Sequence, residues 1–158
     1  MVHVRTATLD DVAQCVAVLG ALPDFFTLDT HEKLAAEMRV GRTWVAEVES
    51  RDICGFIHVM QRSERSAEIT FAAVLPESRR QGIGRALVAA AVRALRDTGV
   101  VLVEVKTLDA TSNYEPYVAT RAFWESQGFV QLDMIDPLPG WQSGNPSAIY
   151  VAALERRW

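Results

Sequence analysis

Val74-Leu75-Pro76-Glu77-Ser78-Arg79-Arg80-Gln81-Gly82-Ile83-Gly84-Arg85 runs from an apolar strand, through a turn with two glycines and three arginines, into a segment with helical spacing. Glycines at 82 and 84 let the backbone approach a ligand closely, and the first turn of the following helix offers unpaired amides with partial positive charge. Such a turn suits a diphosphate, with Arg79, Arg80 and Arg85 adding charge beside it. A P-loop would need Gly-x-x-x-x-Gly-Lys-Ser/Thr, and no lysine follows either glycine; a dinucleotide fingerprint would need a third glycine where Leu87 stands.

Working outward, Leu87, Val88, Ala91, Val92 and Leu95 recur at helical steps from Gly84 to Asp97, and Gly99 closes that helix before the apolar strand Val100 to Val105. Upstream, residues 42–48, 53–60 and 67–74 are β-branched and aromatic-rich and are separated by polar clusters, which predicts an antiparallel meander. Before the meander, a strand at 2–7 leads into a helix whose stripe is Val12, Cys15, Val16, Leu19 and Leu22, stopped by Pro23. Phe25 and Phe26 lie in an apolar connection to a second helix, expected from near Thr30 to Gly41. Downstream come a polar loop at 107–116, a helix at about 117–127 ended by Gly128, a strand from Phe129, a Pro/Gly-rich excursion at 137–146 and a strand at 148–154. A meander followed by one strand-helix-strand unit predicts a mixed, mostly antiparallel α/β sheet flanked by helices, with residues 1–158 as one domain.

The composition sets limits on partners. Of 158 residues, 49% are apolar and 23% charged, an ordinary globular balance, and the net charge of −4 has the wrong sign for gripping nucleic acid. No apolar run reaches the ~18 residues of a membrane span, and the N-terminus lacks a secretory profile, so a cytoplasmic protein without a membrane partner is expected. Cys15 and Cys54 form no Cys-x-x-Cys pair, and His3, His31 and His58 stand singly, so no metal is expected.

The loop resembles the acyl-CoA loop of the GNAT superfamily of N-acetyltransferases, whose Arg/Gln-x-x-Gly-x-Gly/Ala signature is met by Arg79, Gly82 and Gly84. Phe123-Trp124-Glu125-Ser126-Gln127-Gly128-Phe129 is similar to the family's Phe-Tyr-Glu-x-x-Gly-Phe run, and the resemblance spans the chain from about residue 44 onward. It implies acetyl-CoA as co-substrate and a small-molecule or peptide amine as acceptor. It also implies that backbone groups of Ala72, Ala73 and Val74 pair with the pantetheine arm, while the amides of Arg80, Gln81, Gly82, Ile83, Gly84 and Arg85 hold the pyrophosphate. The strands carrying Val74 and Glu104 would splay to admit the thioester, with an amide near Ala73 or Val74 polarising its carbonyl. Members of the family are frequently dimers, so a homodimer is open.

An amine of lysine type has a pKa of about 10.4, and taking its neutral form at pH 7 costs about 4–5 kcal/mol. A base is therefore needed. Glu68 opens a strand that looks like the base-bearing strand of histone-acetylating members, and Glu104 matches the base of members that acetylate ribosomal-protein N-termini. Strict alternation would put Glu68 on one face with Thr70, Ala72 and Val74. The family's usual acid, the tyrosine of Phe-Tyr-Glu, is replaced by Trp124, which cannot deliver a proton at neutral pH. Tyr117, two helical turns upstream, is the substitute acid, with Tyr114, Tyr150 or water as competitors. The lost tyrosine also motivates an alternative, a non-catalytic acyl-CoA-binding sensor or partner module. The segments at 113–120 and 140–146 would border the acceptor side, with Trp141, Trp44, Phe25 and Phe26 as an apolar wall. Cys15, in a core stripe, and Cys54, in mid-strand, support no acyl-enzyme route.

Overall fold

The computed structural model describes residues 1–154. Within them the chain forms β1 (His3–Thr6), α1 (Val12–Gly20), α2 (Leu28–Glu37), β2 (Arg42–Glu47), β3 (Ile53–Gln61), β4 (Ser66–Val74), α3 (Ile83–Asp97), β5 (Leu102–Leu108), α4 (Tyr117–Ser126), β6 (Val130–Ile135) and β7 (Ser147–Ala153). The strands make one seven-stranded sheet in the order β1-β2-β3-β4-β5-β7-β6. Every pairing is antiparallel except β4 with β5, which the α3 crossover joins in parallel. This is the mixed, mostly antiparallel sheet expected from the sequence. Among the described residues, no helix is long and apolar enough to cross a membrane.

The two faces of the sheet are covered by separate cores. Leu87, Ala91 and Leu95 of α3 pack on Ile57, Val59, Ala67, Ile69, Val103 and Val105. On the opposite face, Cys15 and Leu19 of α1 and Leu34 of α2 pack on Val45, Phe56, Phe71 and Ala73. Each fully buried Leu or Phe contributes about 1.5–3 kcal/mol of transfer free energy. The helical stripes read from the sequence are therefore core, and Cys15 and Cys54 are buried free thiols.

Several boundaries move from their expected places: α2 ends at Glu37 rather than Gly41, β5 starts at Leu102 rather than Val100, and two further shifts have a visible cause. Helix α2 opens at Leu28 with an extended Thr27 before it, because the amide and hydroxyl of Thr30 both bond back to the Thr27 carbonyl and close the turn early. Strand β5 runs on to Leu108, because Thr107 and Leu108 find partners in Ala148 and Ser147 of β7.

The face assigned to Glu68 also needs correction. The β3–β4 register jumps from Val59↔Ile69 to His58↔Phe71, so Thr70 is an extra residue in β4. A bulge resets the alternation. Ala72 and Val74 consequently pack on the α3 side, whereas Phe71 and Ala73 belong to the α1/α2 side. Glu68 lies on the face opposite its neighbours Ala67 and Ile69, which are in the α3-side core, and so does not share a face with Ala72 and Val74.

Candidate active site

Strands β4 and β5 pair from Ser66↔Leu102 to Ile69↔Val105 and then part. Beyond that point β4 stays with β3 as far as Val74, and β5 stays with β7 as far as Leu108. The wedge between them exposes a strand edge at residues 70–74, and such an edge is a template for any extended chain bearing amides. Ala72, Ala73 and Val74 lie along it, next to the bulge at Thr70.

The wedge opens towards the turn before α3. After Pro76–Ser78 the chain is left-handed at Arg80 (φ 61°) and Gly82 (φ 75°), and the helix begins at Ile83. Left-handed residues beside a helix start turn successive amides towards one point, an anion-binding concavity. The Ala86 amide bonds to the Gly82 carbonyl, but none of the amides from Arg80 to Arg85 has an acceptor among the described residues. The first amides of any helix lack intrahelical partners, and the exposed left-handed turn before Ile83 lengthens that row of free donors by three residues. Arg79 stands beside them, its Nε 3.4 Å from the Val74 carbonyl and its guanidinium 5.6 Å from the centre of the Phe25 ring. A diphosphate with a peptide-like arm fits this pair of features, because the amides supply donors and the strand edge continues from them.

Glu68 and Glu104 face each other across the last paired stretch of the wedge. Both lie on the α1/α2 side, since their neighbours Ala67, Ile69, Val103 and Val105 all point into the other core. Lys106 reaches between them, with Nζ 3.3 Å from Glu68 Oε1 and 3.6 Å from Glu104 Oε1. Glu68 is buried, and the same Oε1 also accepts from Arg62 Nε and Nη2 at 3.0 and 2.8 Å.

An open cleft of about 360 Å³ lies against the end of β5 and is lined by Leu108, Ser112, Tyr114, Tyr117, Trp141, Gly144 and Asn145. The segments expected on the acceptor side therefore do meet. Of the aromatic wall foreseen for it, Trp141 lines the cleft, whereas Trp44 is buried in the α3-side core. Phe25 is a step removed, packed on Tyr117 with ring centres 5.2 Å apart. The Tyr117 hydroxyl donates to the Phe25 carbonyl at 3.1 Å, and burial pushes its pKa up to about 12. Trp124 sits on the same helix but is buried in the α3-side core, against Phe123 and Phe129. Tyr150 is likewise buried, donating to Glu125 Oε1 at 3.1 Å.

Three polar residues of this region were not anticipated as site residues. Lys106 shares its face with Glu104, and that alternation in Val-Glu-Val-Lys was a usable signal. His58 interrupts an apolar strand, which marks a buried polar group without saying what it meets. Glu37 lies at the end of α2, where nothing in the sequence sets it apart from a solvated helix residue.

Comparison with known proteins agrees with this geometry. Residues 39–131 match the family described as the acetyltransferase (GNAT) domain, more than half of the chain. The chain belongs to the GNAT family of acetyltransferases. Among solved structures, it is similar to a GNAT-family protein from Desulfovibrio desulfuricans (24% identity, TM-score 0.82, covering 98% of this chain and 100% of that one). It is similar also to the ribosomal-protein-S18-alanine N-acetyltransferase of Escherichia coli (16% identity, TM-score 0.78, covering 100% and 97%). A third is the PaiA N-acetyltransferase of Thermoplasma acidophilum, solved with coenzyme A (15% identity, TM-score 0.74, covering 97% and 99%). At these identities the likeness carries the fold alone. No curated protein matches the sequence.

Proposed function

We propose that the protein is an N-acetyltransferase that moves an acetyl group from acetyl-CoA to a primary amine by direct attack, without an acyl-enzyme. The observation that carries this reading is the run of amides from Arg80 to Arg85 without acceptors, lying where the free edge of β4 ends. Those amides, with Arg79, Arg80 and Arg85, hold the diphosphate. The edge at Ala72, Ala73 and Val74 pairs with the pantetheine arm. The thioester then lies in the wedge, where a backbone amide of β4 stabilises the charge that develops on its oxygen.

The acceptor enters through the cleft beside Tyr114, Tyr117 and Trp141, and its ammonium approaches the α1/α2-facing side of the wedge. Carboxylates collect on that side, which draws in a cation and provides a base. Glu68 and Glu104 are the two named from the sequence, with Lys106 between them as the cation that an incoming ammonium would displace. Tyr117 holds the α1–α2 loop through Phe25. Its proton is held by the Phe25 carbonyl and burial pushes its pKa up to about 12, so the leaving thiolate takes the second amine proton, relayed through water, rather than the phenol's.

Thiol release from acetyl-CoA, followed over a panel of small amines, polyamines, aminoglycosides and peptides, tests the reading. Turnover with one class supports it. Tight CoA binding without thiol release on any amine would instead favour a non-catalytic acyl-CoA-binding module, the reading that the loss of the usual tyrosine to Trp124 suggests.

A further inference from the structure

A buried polar chain runs beneath the wedge and has no part in the steps above. His58 of β3 has no exposed surface. Its Nδ1 lies 2.7 Å from Thr43 Oγ1 of β2, and its Nε2 has no hydrogen-bond partner among the described residues. Facing Nε2 at 3.6 Å is Glu37 Oε2, from the last residue of α2. That same oxygen accepts the hydroxyl of Thr70, the bulged residue where β4 leaves β5, at 2.7 Å. Room for the imidazole depends on Gly41, where a Cβ would lie 2.6 Å from both the ring and the Val59 carbonyl oxygen.

The 3.6 Å separation is informative. An Nε2–H pointing at a carboxylate closes to about 2.7–3.2 Å. Two lone pairs facing each other stay apart. The second arrangement follows if the ring proton is on Nδ1, donated to Thr43 Oγ1, while Thr70 donates to Glu37. Glu37 and His58 then enclose a gap that one proton would close. Burial holds the imidazole below its usual pKa range, with Glu37 pulling the other way, so the ring is a free base at neutral pH.

We infer that Glu37 is the base that takes the proton of the acceptor ammonium, and that His58 behind it is a positioning residue whose Nε2 completes the proton's seat. The inference rests on the acetyltransferase reading. The acceptor ammonium gives one proton to Glu37 and attacks as the neutral amine. The new N–C bond forms as the C–S bond breaks, and the electron pair leaves with sulphur. The second amine proton passes through water to the thiolate, and the proton on Glu37 returns to solvent after product leaves. Glu68 and Glu104 face cations, which have no lone pair to share a proton, whereas Glu37 faces one. The other charged group near Glu37 is Lys33, 3.9 Å from its Oε1. Thr43 of β2 and Thr70 of β4 contribute only hydroxyls, and Glu68, with Arg62 and Lys106, lies further along the same face without a bond to the pair.

The test is the pH profile of kcat at saturating acetyl-CoA, with the acceptor that gives the fastest thiol release, for wild type and for the Glu37→Gln, His58→Gln, Glu68→Gln and Glu104→Gln variants. Glu37→Gln should lower kcat by about 10²-fold or more, leave CoA affinity unchanged and abolish the acidic limb. His58→Gln should lower kcat less than Glu37→Gln does and should displace that limb rather than abolish it. A Glu37→Gln profile like the wild type, or loss of the limb in Glu68→Gln or Glu104→Gln alone, would overturn the inference while leaving the acetyltransferase reading intact. Nitrogen NMR of the wild-type imidazole requires no change at His58 and no turnover. A neutral His58 with its proton on Nδ1, whose protonation moves to lower pH in Glu37→Gln, supports the seat. A proton on Nε2 at neutral pH contradicts it.

Discussion

Tyr117 donates its hydroxyl proton to the carbonyl of Phe25, joining the first turn of α4 to the loop between α1 and α2. Tyr114 does the same to the neighbouring Asp24 carbonyl at 2.9 Å, and the Arg79 guanidinium lies over the Phe25 ring. The α1–α2 loop is thus tied both to the cleft and to the arginine-bearing turn before α3. An isolated α1–α2 loop would be mobile; this one is fixed from two directions.

Removing one tie should loosen the loop without stopping the chemistry. Tyr117→Phe is expected to cost about 0.5–1.5 kcal/mol in urea denaturation, the net value of a lost hydrogen bond. In thiol-release assays it should raise the acceptor KM and leave kcat nearly unchanged. A collapse of kcat at constant KM would mean that the phenol does deliver a proton.

Gly82 is left-handed with nothing within 4 Å of where a Cβ would stand, so its requirement is conformational rather than steric. Gly82→Ala should lose about 1–2 kcal/mol of stability, the cost of that backbone region for an L side chain. By calorimetry CoA affinity should fall as well, because relaxing the turn redirects the amides.

Gly41→Ala fails for a different reason. The added methyl would meet the Val59 carbonyl and the His58 ring at 2.6 Å, and overpacking of this kind costs about 1–3 kcal/mol. Denaturant melts should show that loss, and the thiol-release rate should fall with it because the imidazole is displaced from Glu37.

Buried groups narrow the pH window of stability from both sides, His58 and Cys15 among them. The folded His58 pKa lies below its ordinary 6.5, so on acidification the unfolded chain takes up a proton first and stability falls below about pH 6.5. The Cys15 thiol is pushed by burial from 9.0 to about 12, so the unfolded chain loses its proton first and stability falls between those values. Each contributes a slope of at most about 1.36 kcal/mol per pH unit. Denaturation midpoints measured from pH 5 to pH 11 should show a plateau bounded by both losses, and Cys15→Ala should reduce the alkaline one at some cost in packing, the remainder coming from Cys54, Tyr117 and Tyr150, which burial also pushes up.

Much of this was legible in the sequence because it is written in periodicity and glycine. The α3 stripe, the meander and the turn at 79–85 follow from local rules, and the order of elements then leaves few topologies. The face of Glu68 was not legible, since the bulge at Thr70 is a single extra residue that only its pairing with β3 reveals. The meeting of Glu37, His58 and Thr70 joins a helix end to two strands, and no spacing encodes it. Lys106 between Glu68 and Glu104 depends on the parallel register of β4 and β5, which strand propensity does not set.

The central claim is that the main chain from residue 80 to 85 seats the diphosphate of coenzyme A. Amide NMR during a titration with CoA tests it directly. The resonances of Arg80 through Arg85 should move together and saturate, with inorganic pyrophosphate shifting the same set more weakly. If CoA leaves those resonances in place, whether or not it moves others, the claim is wrong.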